Sequence, residues 1–448
     1  MRILSLFIGQ DTSVSIIEDG KLAYFMPEER LSRKKDDYFW TNMMRDVFLN
    51  FDKHYDIVNL AYDLNEYYCI VKEVKKYIER FFEYKDLVIH DDRHHDFHAL
   101  GGFYTSPFQE ALCVVVDGGG SLYRKNESIY MRYHPYDLRE IESVYFVNKT
   151  QEMKTLFKHY YSSSSVPFSH RYTKELKIST NQWGKKEEIL KRIREYVNKT
   201  GVKNVVLTGG YAADPLTNYF YLKNLKDINV YIDPLCSDAG LSVGISFATY
   251  LKYNNSLPQI NLPYICGGNV DKNYNFDGLK SKKCSYEDVI DLILDEKNVF
   301  IFQGKGECIP IGLGNRSLLC DPRRDIVKWN GGGTVMLEYV NEWFEIEESQ
   351  YMQYEVNVKR EKKDQIPALV SSNNTCRIQT LSKNQNKHYY NLIKCFYQKT
   401  GVPILMNAPF TFVNEPLVQT FHHAIHTLKR STIEYLYLPE LKTLITTS

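Results

Sequence analysis

MRILSLFIGQDTSVSIIEDGKLAYFM, residues 1–26, decides the fold of this chain. Ile3 to Ile8 reads as an apolar strand, followed by a small polar turn. VSIIEDGKLAYFM then alternates about Asp19-Gly20, a dipeptide that suits the positive backbone angles of a tight hairpin. The same order returns at Ala111: LCVVVD runs into the glycine turn Gly118–Gly120, and SIYMRYH (128–134) reads as the next strand.

A strand that ends in a polar or glycine turn and continues into a hairpin, met twice, predicts a duplicated α/β domain of the actin-like, ribonuclease H-like kind. DDRHHDFHALGGFYTS (91–106) reads as a short helix that stops at its glycines. KEEILKRIREYVN (186–198) places Ile189, Leu190, Ile193 and Val197 on one helical face. NVVLTGG (204–210) is a strand whose Gly209-Gly210 end lies where open α/β sheets bind ligands, and INVYI, DPLCSDAG and the helix LSVGISFATYL follow. Residues 261–283 are polar and read as a linker between a domain at 1–260 and a second at 284–448. That second unit opens on a capping box, Ser285-x-x-Asp288.

The 448 residues exceed one ordinary core, and the composition (43% hydrophobic, 25% charged) is that of a folded protein. Lys plus Arg number 56 and Asp plus Glu 55, so no global basic field gathers nucleic acid or an anionic membrane. No apolar run reaches membrane-spanning length, and the N-terminus lacks a signal-peptide pattern. Nine cysteines without a C-x-x-C pair suit reduced thiols, and a cytoplasmic location is expected.

His94 and His98 stand at i and i+4, so on a helix both rings leave one face and can share a metal ion. The alternative for that spacing is a polar, partly buried helix face. Asp117 ends an apolar strand and Asp238 precedes a glycine turn; each alone could equally cap a turn. Together the four describe a divalent site with open positions.

Seven strings stand in one order: GQDTSVSIIEDGKLAYFMPEERLSRKK, HHDFHALGGFYTSPF, VVVDGGG, LTGGYAADPLTN, SDAGLSVG, LGNRSLLCDPR and GVPILMNAPFTFVNEP. They resemble the O-carbamoyltransferases that modify nodulation factors and aminoglycoside or cephalosporin antibiotics, in a short, divergent form whose composition hints at a viral genome. The resemblance implies an actin-like domain joined to an α+β YrdC-like domain. The second would make carbamoyl-adenylate from ATP and carbamoyl phosphate, and the first would pass the carbamoyl group to a hydroxyl. Carried over, it implies an iron-type site at His94, His98, Asp117 and Asp238, with Mn(II) or Zn(II) as alternatives, and Mg(II) accompanying ATP. It also implies Lys35 beside the carbamoyl group, and an adenylate loop with Gly209, Gly210 and Asn218, where Asp214 replaces the family's Asn. The donor site would use Lys305, Asn315, Arg316, Arg377 and Asn407, with Arg323 and Glu415 also at their motif positions.

Four departures matter. Gln10 replaces a family histidine, which leaves Asp11, another carboxylate or the adenylate phosphate to take the acceptor's proton. Ile311 and Val413 stand where the family has arginine, and Pro409 where it has serine, although a phosphate-rich donor site needs cations. The expected acceptor is the hydroxyl of a small molecule or of a nucleotide. Hydroxymethylated DNA is one class, with Tyr160, Tyr161, His170, Arg171 and Tyr172 as a stacking and phosphate-contacting set. A homodimer is compatible with the sequence, and no membrane partner is expected. The competing readings are threonylcarbamoyladenosine-type N-carbamoyl chemistry and a non-catalytic ATP- or metal-binding scaffold with a decayed donor site.

Overall fold

The computed structural model describes residues 1–62, 68–91, 93–121, 138–150, 152–162, 177–179, 185–254, 256–267, 278–324 and 331–447. Two compact units result. One comprises Met1–Glu29, Asp36–Ala213 and Phe220–Ile260; the other comprises Arg30–Lys35, Asp214–Tyr219 and Asn261–Ser448. The stretch expected as a linker holds strands of the second unit at Tyr264–Cys266 and Lys280–Lys283.

In the first unit β1 (Ile3–Ile8) pairs antiparallel with β2 (Ser13–Glu18), and β2 likewise with β3 (Lys21–Pro27). The turn between β2 and β3 has positive φ at both Asp19 (50°) and Gly20 (73°), the backbone that its sequence suits. On its other side β1 pairs parallel with β4 (His54–Tyr62), which pairs parallel with β5 (Glu83–His90). The strand order is therefore β3-β2-β1-β4-β5. A second sheet repeats it. Here β6 (Glu110–Val116), β7 (Leu138–Asn148) and β8 (Met153–Ser162) are antiparallel neighbours. β6 also pairs parallel with β10 (Asn204–Thr208), and β10 with β11 (Asn229–Ile232). β9 (Lys177–Ser179) extends the edge beyond β8. Two sheets with one strand order make this an α/β, actin-like fold. The sequence expected SIYMRYH to be the hairpin's second strand, but that segment lies outside the described residues.

Two helices occupy the heart of this unit, His94–Thr105 and Leu241–Asn254. Contrary to expectation, the first does not stop at Gly101-Gly102 but runs to Thr105. The glycines serve packing: a Cβ on Gly101 would lie 3.4 Å from Gly244 Cα, and one on Gly244 would lie 2.3 Å from Phe97 O. Helix Lys186–Thr200 buries Ile189, Ile193 and Val197 and leaves Leu190 partly exposed; it ends on Gly201 at φ 76°.

The second unit is built on a mixed nine-stranded sheet: β13 (Lys280–Lys283), β22 (Thr443–Thr446), β21 (Tyr435–Leu438), β14 (Val299–Phe302), β16 (Arg316–Cys320), β20 (Ile404–Pro409), β17 (Gly332–Met336), β19 (Thr375–Leu381) and β18 (Tyr354–Asn357). Helix Lys387–Thr400 packs on β17, β20 and helix Tyr286–Leu294. The latter starts with the reciprocal Ser285–Asp288 capping box that the sequence shows. No helix among the described residues is long and apolar enough to cross a membrane.

Candidate metal and transfer centre

His94 and His98 project from one face of their helix, and both rings are buried. Asp117 is the residue after β6, and Asp238 opens the turn that leads into helix Leu241–Asn254. The fold delivers all four to one point, with one ligand atom from each lying within 4.8 Å of every other. His94 Nε2 and His98 Nε2 are 3.1 Å apart. Asp117 Oδ2 lies 3.1 Å from the first and 3.0 Å from the second, and Asp238 Oδ1 lies 3.4 Å from both.

Two ring nitrogens at that distance cannot both carry a proton aimed at the other. Donor atoms each ~2.1 Å from a shared cation would be separated by roughly 3.0–3.4 Å, whether tetrahedral or octahedral. The five spacings that include a histidine nitrogen fall in that range, and two imidazoles with two carboxylates suit a borderline divalent ion. The residues fit such a group. Electrostatics agree: burial opposes ionisation of Asp117, yet hydrogen bonds from His94 and His98 hold it well below the usual carboxylate range. Burial likewise opposes a charged His98, but hydrogen bonding to Asp117 and Asp238 raises its pKa overall.

The turn after Asp117 is fixed from two sides. Gly118 N donates to Asp117 Oδ1 (2.6 Å), and Gly120 N donates to Glu140 O (2.7 Å). Ser121 Oγ accepts from His94 N (3.0 Å), which ties the turn to the start of the histidine helix. Gly209, at φ 86°, leaves no room for a Cβ, which would meet Val116 O at 2.4 Å; a Cβ on Gly210 would lie 3.2 Å from Asp117 Oδ1. The glycine pair thus runs beside Asp117. Asp11, half-buried, has its pKa pushed up to about 7 by burial and then by Asp238, Glu29, Asp36 and Asp117. Gln10 beside it is exposed.

Other expected residues go elsewhere. Asp214 accepts from Leu216 N (3.2 Å) and from Thr217 Oγ1, as a helix cap does, and Asn218 Nδ2 donates to Gln353 O (2.9 Å). Lys35 is exposed, in the segment Arg30–Lys35 that belongs to the second unit. Arg316 is fully buried: its guanidinium lies over the Phe302 ring at 3.6 Å and donates to the carbonyls of Gln303, Gly304 (2.9 Å) and Asn315 (3.1 Å). Asn315 Nδ2 donates to Lys305 O (2.8 Å), and Asn407 Nδ2 to Gly312 O (3.0 Å). These three side chains are engaged in shaping the loop 303–316, which turns their sequence-based role from anion contact towards scaffolding. Lys305 is exposed at that loop, and Arg377 Nε donates to Met352 O (2.8 Å). Arg323 is paired with Asp321, and Glu415 with Arg33 and Arg430. Val413, in an arginine's place, is 76% exposed.

Of the expected stacking set, Tyr160 is buried and presents no face to a base. The Tyr161 side chain and His170, Arg171 and Tyr172 lie outside the described residues. Sequence reasoning missed Ser121, Thr208 and Asp233. The one signal for Asp233 was its place immediately after a parallel strand.

Residues 331–444, within the second unit, match the family model described as carbamoyltransferase C-terminus. The second unit therefore carries a carbamoyltransferase C-terminal domain. An uncharacterized protein of Methanocaldococcus jannaschii is 24% identical over 97% of this chain and 98% of its own length. Nodulation protein NolNO of Sinorhizobium fredii is 25% identical over 77% of this chain, which spans 62% of that protein. NolO of Bradyrhizobium diazoefficiens is 22% identical over 77% of each. Among solved structures, full-length HypF in its phosphate- and nucleotide-bound form is 10% identical over 57% of this chain and 56% of its own, with a TM-score of 0.35. So low a score adds nothing to the fold assignment, which rests on the repeated strand order. The chain therefore joins a duplicated actin-like unit to a unit that carries the carbamoyltransferase C-terminal domain.

Proposed function

We propose that this carbamoyltransferase moves a carbamoyl group onto a substrate hydroxyl at the centre formed by His94, His98, Asp117 and Asp238. The convergence of two histidine nitrogens and two carboxylate oxygens, each nitrogen 3.0–3.4 Å from the other three atoms, carries the reading. Those four residues would hold a divalent ion, Fe(II) first, which when bound supplies Lewis acidity towards a carbonyl oxygen that its nitrogen makes a poor electrophile.

The protein's own groups do the rest. Asp11, with its pKa near neutrality, takes the proton of the acceptor hydroxyl. The acceptor oxygen forms its bond to the carbamoyl carbon as the bond from that carbon to the adenylate phosphate oxygen breaks, and AMP leaves. The Gly209-Gly210 turn lets backbone approach closely on that side. The donor is carbamoyl-adenylate, formed in the second unit from ATP (with Mg(II)) and carbamoyl phosphate, with Lys305 and Arg377 as its remaining cations. Location in the cytoplasm, where both co-substrates are available, accords with this scheme.

A second reading has one specific observation in its favour. With Arg316 spent on carbonyls, and Ile311 and Val413 in place of arginines, the second unit would be a scaffold, and the carbamoyl donor would arrive preformed. Incubation with ATP and labelled carbamoyl phosphate separates the two. AMP release supports the full cycle. Transfer from added carbamoyl-adenylate without AMP formation from ATP supports the second. No transfer from either donor to any hydroxyl, hydroxymethylcytosine DNA included, would sink both.

A further inference from the structure

Asp233 follows β11 directly and is 2% exposed. No cation pairs with it among the described residues. Three elements hydrogen-bond it instead. Thr208 Oγ1, at the end of β10, donates to Oδ2 (2.8 Å); Leu235 N, in the loop towards Asp238, donates to Oδ1 (2.9 Å); Thr105 Oγ1, the last residue of the histidine helix, approaches Oδ1 at 3.5 Å. The helix is cut away to admit it, since a Cβ on Gly102 would lie 3.2 Å from Asp233 Oδ2 and 3.3 Å from its Cβ. His94, His98, Gly102 and Thr105 recur at helical spacing, so Asp233 sits on the stripe that carries both histidines, one turn beyond His98.

A buried carboxylate without a counter-cation is costly unless its hydrogen bonds define something. Here they fix how far the loop bearing Asp238 stands from the helix bearing His94 and His98. We infer that Asp233 is a positioning residue for the metal centre, a tether that holds the Asp238 turn against the histidine helix and so sets affinity for a divalent cation. The inference rests on the metal reading above. Its cargo is the ion alone, and no acceptor or donor enters.

The test uses the full-length chain, Co(II) titration followed by visible absorption, and thermal melts followed by far-ultraviolet circular dichroism. The wild-type chain should take up one Co(II) saturably, and His98→Ala should not; a wild-type chain that binds none overturns the metal reading and the tether together. Asp233→Ala should fold, weaken Co(II) binding by ~10–100-fold and shift the absorption band, as loss of a supporting partner does at metal sites. Asp233→Asn, which keeps an acceptor for Leu235 N, should stay within ~3-fold of wild type if the hydrogen bonds alone matter. Asp233→Ala that melts lower yet binds Co(II) with wild-type affinity and spectrum would leave Asp233 a merely structural residue. If that variant does not fold, Thr208→Val decides: binding ~3–10-fold weaker supports the tether, and unchanged binding overturns it.

Discussion

At the scale of single residues, Asp11 sets stability against function. Its pKa in the folded chain, about 7, exceeds the ordinary 3.8, chiefly because burial and then Asp238 disfavour the charge. The folded chain therefore retains a proton that the unfolded chain releases. This group's contribution to stability is full below about pH 4 and is lost as the pH rises through about 7. Asp11→Asn should thus raise stability above about pH 8 by about 1–3 kcal/mol, discounted for partial solvent contact, while cutting transfer ~10²-fold or more. Thermal melts against pH, beside single-turnover transfer, check both. A variant neither stabilised nor slowed would remove Asp11 as the proton acceptor. Because Asp238 and Asp117 contribute to the raised pKa, loading a divalent ion should move the lower limb of the pH–rate profile to lower pH, not higher. His98→Ala should abolish both ion binding and transfer.

At the scale of elements, the contact between helices His94–Thr105 and Leu241–Asn254 is close enough to depend on glycine. Gly244→Val would force the helices apart at Phe97 O, with an expected loss of about 2–4 kcal/mol and weaker ion binding through the adjacent His98. An unchanged melting temperature would show that the contact yields easily. This is also where sequence reading went astray. Two consecutive glycines read as a helix stop when only the chain is in view; Gly101 becomes a helix–helix contact only once Gly244, far away in sequence, faces it, and Gly102 an opening only once Asp233 does. Asp19-Gly20 and Ser285-x-x-Asp288 were legible because their chemistry is local: a turn's backbone angles and a cap's reciprocal bonds lie within four residues. His94 and His98 were half legible, since helical spacing gives the shared face but not what faces it. Asp233 and Arg316 were not, because whether a charged residue meets a ligand or a ring of carbonyls is decided by tertiary neighbours.

At the scale of the whole molecule, the division of labour makes its own prediction. His98→Ala should stop transfer yet leave the first-turnover release of pyrophosphate from ATP and carbamoyl phosphate at its wild-type rate, if the second unit makes the donor. Joint loss of both activities in a folded variant would mean that donor formation does not belong to the second unit alone. The second unit is also discontinuous: it takes in Arg30–Lys35 and Asp214–Tyr219 from the first half of the chain. Arg33 Nη1 donates to Leu417 O (2.8 Å) and Nη2 to Pro416 O (2.7 Å), across 384 and 383 residues. That threading has a consequence for biosynthesis. On the ribosome, the earliest-made of these segments must wait while 383 further residues are made before its guanidinium finds the first of those carbonyls. The growing polypeptide therefore passes through a long interval in which the unit is unfinished, when chaperones would hold it most firmly. A gene fragment that begins at residue 261 should give insoluble product, and co-expression with residues 1–260 should restore solubility if the missing segments are what it lacks.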